Sequence, residues 1–147
     1  MELSFFIRSR PVAKQSFKMG KFGGYKPKAV ANWEAEVRLR ASQAAANQGW
    51  VKVVKGYPVS LDITVTYKWP KTKPANMKWL PEGWGELVVR KPTRPDTDNL
   101  TKGIKDGLRD LWDDDSQVTD ETIVKRYGPS ALVGVLIRVR ALPPLTT

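Results

Sequence analysis

Residues 96–117 read DTDNLTKGIKDGLRDLWDDDSQ, and this stretch decides how the chain is organised. Leu100, Ile104, Leu108 and Leu111 recur every three to four residues, which makes one apolar stripe on a helix expected over residues 99–111. Asp98 or Asn99 suits the N-cap, because a short polar side chain there accepts from a free backbone N–H. Asp98, Lys102 and Asp106 stand four residues apart on a second helical face, opposite or oblique to the stripe. Asp113, Asp114 and Asp115 follow as a tight turn. If the next strand lies beside the origin of this helix, Asp114 or Asp115 comes back towards Asp96 and Asp98. Upstream, in VSLDITVTYKW (residues 59–69), Val59, Leu61, Ile63, Val65 and Tyr67 alternate with polar neighbours, the period of a half-buried strand. Downstream, residues 118–126 and 133–140 read as two closing strands joined through a turn at Gly128 and Pro129.

The remaining elements fall into place around these. A strand is expected over residues 3–8, and a helix over 30–48 with Trp33, Val37, Ala41 and Ala44 on one face. Residues 11–28 form a basic loop, and residues 70–86 an irregular, proline-rich one followed by a short strand over 87–89. Residues 141–147 are expected to fray. The 147 residues fit one compact domain, spanning 1–147, of α/β (α+β) class. Two main helices and a mixed or antiparallel sheet are expected.

Composition narrows the chemistry. With no cysteine and no histidine, the chain has neither disulfides nor thiol nucleophiles, and no catalytic triad or zinc site of the usual kind. Any metal must be a hard cation held by oxygen, which points to Asp and Glu with Mg²⁺, or Mn²⁺ in its place. The formal charge is +10, yet residues 96–121 carry nine carboxylates against three bases. A basic body favours a polyanion such as nucleic acid. Carboxylates crowded within ~4–6 Å repel one another unless a cation sits among them. Taken singly, these aspartates suit a helix cap, an i,i+4 ladder and an exposed turn. Their joint occurrence in one short segment of a basic chain favours a metal site.

Lys14, Lys18, Lys21, Lys26 and Lys28, with Arg90, Lys91 and Arg94, are the candidate phosphate-binding surface. Trp69, Trp79 and Trp84 are expected to anchor the proline-rich loop, and Phe17 and Phe22 are the better candidates for contact with DNA. No run approaches the ~20 apolar residues of a membrane span, no signal peptide is visible, and a cytoplasmic location is expected.

The acidic segment resembles the RusA family of Holliday junction resolvases, found in bacteria and their prophages. The family opening D-x-D-N-x-x-K, an Asp four residues on, a Leu two later and a D-D-S-Q close read here as Asp96, Asp98, Asn99, Lys102, Asp106, Leu108, Asp114, Asp115, Ser116 and Gln117. The N-terminal PVAKQSFK and GGYKPK segments look like the family's opening too, although Ser16 stands where relatives often carry arginine. The resemblance implies that Asp96, Asp98 and Asp115 are catalytic, metal-binding carboxylates and that Lys102 is the catalytic lysine. Asp114 would be a further ligand and Asp106 a secondary member. Asp113 adds a third carboxylate to the run, so which of the three closes the site is open. It implies a RusA-like fold and Mg²⁺-dependent cleavage of four-way junctions by paired nicks in a homodimer, with no organic cofactor and no membrane partner. The alternatives are a branched-DNA-binding module that does not cut, and a nuclease for flaps or forks.

Overall fold

The computed structural model describes residues 1–14, 18–20 and 23–143. It contains β1 (Glu2–Ile7), β2 (Lys18–Gly20), β3 (Gly23–Tyr25), α1 (Lys28–Gln48), β4 (Val59–Lys68), β5 (Val89–Arg90), α2 (Thr97–Leu108), β6 (Val118–Gly128) and β7 (Gly134–Ala141). Five strands form one mixed sheet in the order β1-β7-β4-β6-β5, in which only β4 and β6 run parallel. The α+β class, the mixed sheet and the two main helices are as expected.

The period-2 pattern of residues 59–69 sets the layering. Leu61, Ile63 and Val65 join Leu3, Ile7, Val135, Ile137 and Val139 in one buried face, on which Trp33, Val37 and Ala41 of α1 and Leu100, Ile104 and Leu108 of α2 pack. Helix α1 stops where Gly49 adopts a left-handed conformation (φ 70°) and its N–H bonds Ala45 O, a conformation that glycine takes without a Cβ clash. Helix α2 ends at Leu108, earlier than expected, and Leu111 keeps its buried place in a turn closed by the bond from Leu111 N to Leu108 O.

Three expectations change. The two closing strands are not partners, because β4 lies between them, parallel to β6 and antiparallel to β7. Within residues 11–28, β2 and β3 pair as a small hairpin rather than forming loop throughout. At the C-terminus, Ala141 N bonds Met1 O and Leu142 N bonds Pro58 O, so the expected fraying does not begin at 141; residues 144–147 lie outside the described residues.

The order of elements decides where the acidic groups stand. Strand β5 pairs with the far end of β6, at Arg126 and Tyr127, and α2 then returns along β6 towards its start. The outer edge of β6 before Lys125 has no strand partner among the described residues.

Candidate active site

Helix α2 begins at Thr97, with Asp96 in the extended N-cap position, two or three residues before the expected cap. Leu100 N bonds Asp96 O, which closes the first turn. Asp98 is therefore inside that turn, where free N–H groups and the helix dipole favour a carboxylate. Asp96 makes no capping bond with its side chain, and among the described residues it has no ion-pair partner. Asp98 meets Lys102 at 3.8 Å, with both side chains more than 60 % exposed (69 % and 62 %). An exposed pair of this kind is weak, so both groups stay available to a ligand.

Thr97, Asp98, Thr101, Lys102 and Lys105 form one wall of a groove of about 400 Å³, and Glu121 and Ile123 of β6 form the other. Lys105 donates to Glu121 across it at 3.1 Å. Asp106 is turned away from this groove and accepts from Lys14 at 2.5 Å.

The Asp113–Asp115 run stands at the other end of α2, about 18 Å away along a helix of this length. The expectation that it returns to Asp96 and Asp98 fails within one chain. The physical reason is the antiparallel run of α2 on β6: Pro95 O accepts from Lys125, near the far end of β6, whereas Gln117 leads into its start. Two of the three aspartates hold the local backbone. Asp113 accepts from Lys55 N at 2.8 Å and pairs with Lys52 at 3.1 Å. Asp114 accepts from Ser116 N, while Gln117 Oε1 accepts from Asp114 N in a capping box. The buried Gln117 amide also donates to Val53, Val54 and Tyr57 carbonyls. Asp115 is exposed and has no side-chain partner among the described residues.

The backbone N–H of Lys55, and then the Lys52 ammonium, hold the Asp113 carboxyl below the ordinary carboxylate range. The stabilisation is thus fully present above the unfolded carboxylate's pKa of about 3.9 and is lost as pH falls below it. Asp113→Asn is expected to flatten the acid limb of a plot of Tm against pH; an unchanged limb would mean that this pin does not matter.

A family model described as Endodeoxyribonuclease RusA matches residues 9–140. The chain belongs to the RusA family. It is also similar to the uncharacterized protein YqaN of Bacillus subtilis (strain 168), 34 % identical over 141 residues that cover 92 % of this chain and 95 % of that one.

In this RusA-family chain the expected basic surface divides. Lys14 is half-buried against Asp106, and Lys26 pairs with Glu34 at 2.7 Å, so neither is a free cation. Lys28 opens α1, and Arg90 and Arg94 are exposed on the approach to α2. Lys91 is half-buried and donates to Thr93 Oγ1 and Arg94 O. Lys21, Phe17 and Phe22 lie outside the described residues, and Lys18 is described only as part of β2.

The tryptophans behave as anchors in two cases out of three. Trp69 is buried, stacks on Tyr127 with centroids 4.5 Å apart and meets Trp84 edge-on at 5.2 Å. Trp79 is 66 % exposed and anchors nothing.

Glu121 is the groove residue that the sequence reading missed. A signal existed, since Glu121, Ile123 and Lys125 share the parity that faces the helices, and charges on that side of a strand need a partner or a ligand.

Proposed function

We propose that this chain is a Mg²⁺-dependent endodeoxyribonuclease that resolves four-way DNA junctions by paired nicks, acting as a homodimer in recombination and repair in the cytoplasm. The observation that carries this reading is the exposed trio of Asp96, Asp98 and Lys102 at the start of α2, where Asp98 and Lys102 line a groove in a strongly basic chain.

The donors fit the ion. Among the described residues no three carboxylates are close enough together to cage a metal, and Mg²⁺ does not require such a cage. It commonly takes one or two carboxylates and completes its octahedron with waters and substrate phosphate. Asp96 and Asp98 would hold it, with Mn²⁺ a hard substitute. When bound, the ion supplies Lewis-acid polarisation of the phosphodiester.

The chain's own residues do the rest. The Asp96 and Asp98 carboxylates orient the attacking water and accept hydrogen bonds from it. The Lys102 ammonium, one turn along, is placed to neutralise charge that grows on the phosphate oxygens as water adds and the P–O bond to the leaving sugar breaks. No histidine is needed as base.

Asp115 joins this chemistry across the dimer. Antiparallel approach of two free β6 edges brings the start of one β6, and Asp115 with it, to the far end of the other, where α2 begins. Each site then combines Asp96 and Asp98 of one protomer with Asp115 of its partner.

The test is incubation of a synthetic mobile four-way junction with Mg²⁺, with Mn²⁺ and with chelator. Symmetric paired nicks in the presence of either ion, and none with chelator, are expected. Metal-independent binding without cutting would identify a binding module instead, and faster cutting of flaps or forks would move the substrate away from junctions.

A further inference from the structure

We infer that the cavity at the C-terminal ends of β4 and β6 is a phosphate-binding site that grips the backbone of the bound DNA strand at a distance from the cut. The inference deepens the nuclease reading and rests on it. The cavity holds about 530 Å³ and is walled by Arg10, Tyr67, Lys68, Lys91 and Tyr127, with Pro11 at its rim.

Its charge is the first argument. The wall brings Arg10, Lys68 and Lys91 together without any carboxylate among its residues, and among the described residues none of the three, nor the nearby Lys125, has an ion-pair partner. Lys91 Nζ instead sits 5.1 Å from the Tyr67 ring centre and 5.4 Å from that of Tyr127. Burial first, and then the Lys125 and Arg10 charges, make the Lys91 ammonium harder to keep protonated. Cations gathered without a counter-charge repel one another, and an anion in the cavity removes that repulsion.

The second argument is Tyr67. Its side chain is 8 % exposed, and its hydroxyl is buried with no hydrogen-bond partner. Burial pushes the phenol up to about 12, so it stays a protonated donor at neutral pH. An unpaired buried donor is costly to leave unmade. Ammonium, guanidinium and phenol groups are all donors, which suits the acceptor-only oxygens of a phosphodiester. A base edge presents donors and acceptors together.

The third argument is continuity. Lys91 also lines a groove with Thr97, Ile123 and Lys125, and Thr97 and Ile123 line the groove of Asp98 and Lys102. Shared walls thus make one track from the acidic turn to the cavity. Ile123 and Tyr127 are four residues apart on β6, about 13 Å, so the gripped phosphate is not the one that is attacked.

The experiment is equilibrium binding of a labelled four-way junction, and of a duplex of equal length, without divalent metal across a KCl series. Arg10→Gln and Lys68→Gln are each expected to weaken binding roughly three- to tenfold and to lower the slope of log K against log salt by about one. Tyr67→Phe is expected to weaken binding with the slope unchanged, since a neutral donor is lost. Tm values close to wild type establish that the variants fold, and Arg10 and Lys68 are exposed enough to tolerate the change. Wild-type affinity and slope in both cation variants would overturn the inference. If wild type cuts junctions while these variants bind normally, the cavity is wrong and the nuclease stands. If binding depends on the cavity but nothing is cut with Mg²⁺, the nuclease is wrong and the cavity stands. A chain that binds no DNA overturns both.

Discussion

Asp98→Asn is expected to bind a four-way junction at least as tightly as wild type and to cut it about a thousandfold more slowly. The substitution keeps size and the hydrogen-bonding shape, and removes one of two carboxylates on the first turn of α2. Tighter binding follows from deleting a negative charge beside the phosphate backbone. The slower cut follows from losing metal-dependent stabilisation of the transition state, worth several kcal/mol, at a factor of ten per 1.36 kcal/mol. Single-turnover cleavage and metal-free binding, measured on the same preparations, separate the two effects. Unimpaired cutting would remove the site from α2. Asp115→Asn is expected to fail in the same way. Because Asp115 stands one helix length from Asp98 within a chain, co-refolding the two variants should restore a single nicking centre in each mixed dimer. That dimer carries one site with both defects and one with none. Failure of the mixture to nick, with both single variants dead, would argue that both residues serve the same protomer.

Gly107→Val is expected to cost about 3 kcal/mol of stability, the upper part of the range for overpacking a tight interior. For a chain of this size that lowers Tm by about 6–12 °C. A Cβ at Gly107 would lie 2.6 Å from both Cβ and Cγ1 of Val37 and 3.0 Å from Glu34 O. The gain in helix propensity on replacing a glycine, about 1 kcal/mol at most, does not offset contacts that short against backbone and a branched neighbour. Gly103 lies one turn earlier and faces Val12 O at 3.2 Å, so the two glycines together let α2 lie close to α1 and to the segment before Lys14. Urea unfolding of Gly107→Val, Val37→Ala and the double variant checks the mechanism. The double variant should be more stable than the sum of the singles predicts, because Val37→Ala makes room. Strict additivity would place the cost elsewhere.

The legibility of this chain followed the range of the forces involved. The stripe of Leu100, Ile104 and Leu108 and the alternation from Val59 to Tyr67 are local patterns, and a helix and a strand formed around them, although α2 closes at Leu108 rather than at Leu111. The start of α2 was misplaced by two residues, since Asp96, Asp98 and Asn99 are all competent caps and the turn closed by Leu100 N on Asp96 O selects among them. Gly103 and Gly107 form the seam of α2 with α1 and the segment before it, which only a neighbour can reveal.

By itself, the sequence determined the kind of chemistry. The absence of histidine and cysteine, the acidic window in a basic chain and the D-x-D-N-x-x-K spacing are properties of composition and of residues within a few bonds' reach. Tertiary structure alone decided which of those residues share a place. Because α2 runs back along β6, it parts Asp98 from Asp115, draws Glu121 to the groove, and turns Lys14 inward to Asp106. It also gathers Arg10, Tyr67 and Lys91, which stand far apart in the chain, around one cavity. Direction and pairing of strands are set by burial of the whole sheet, which no local pattern contains.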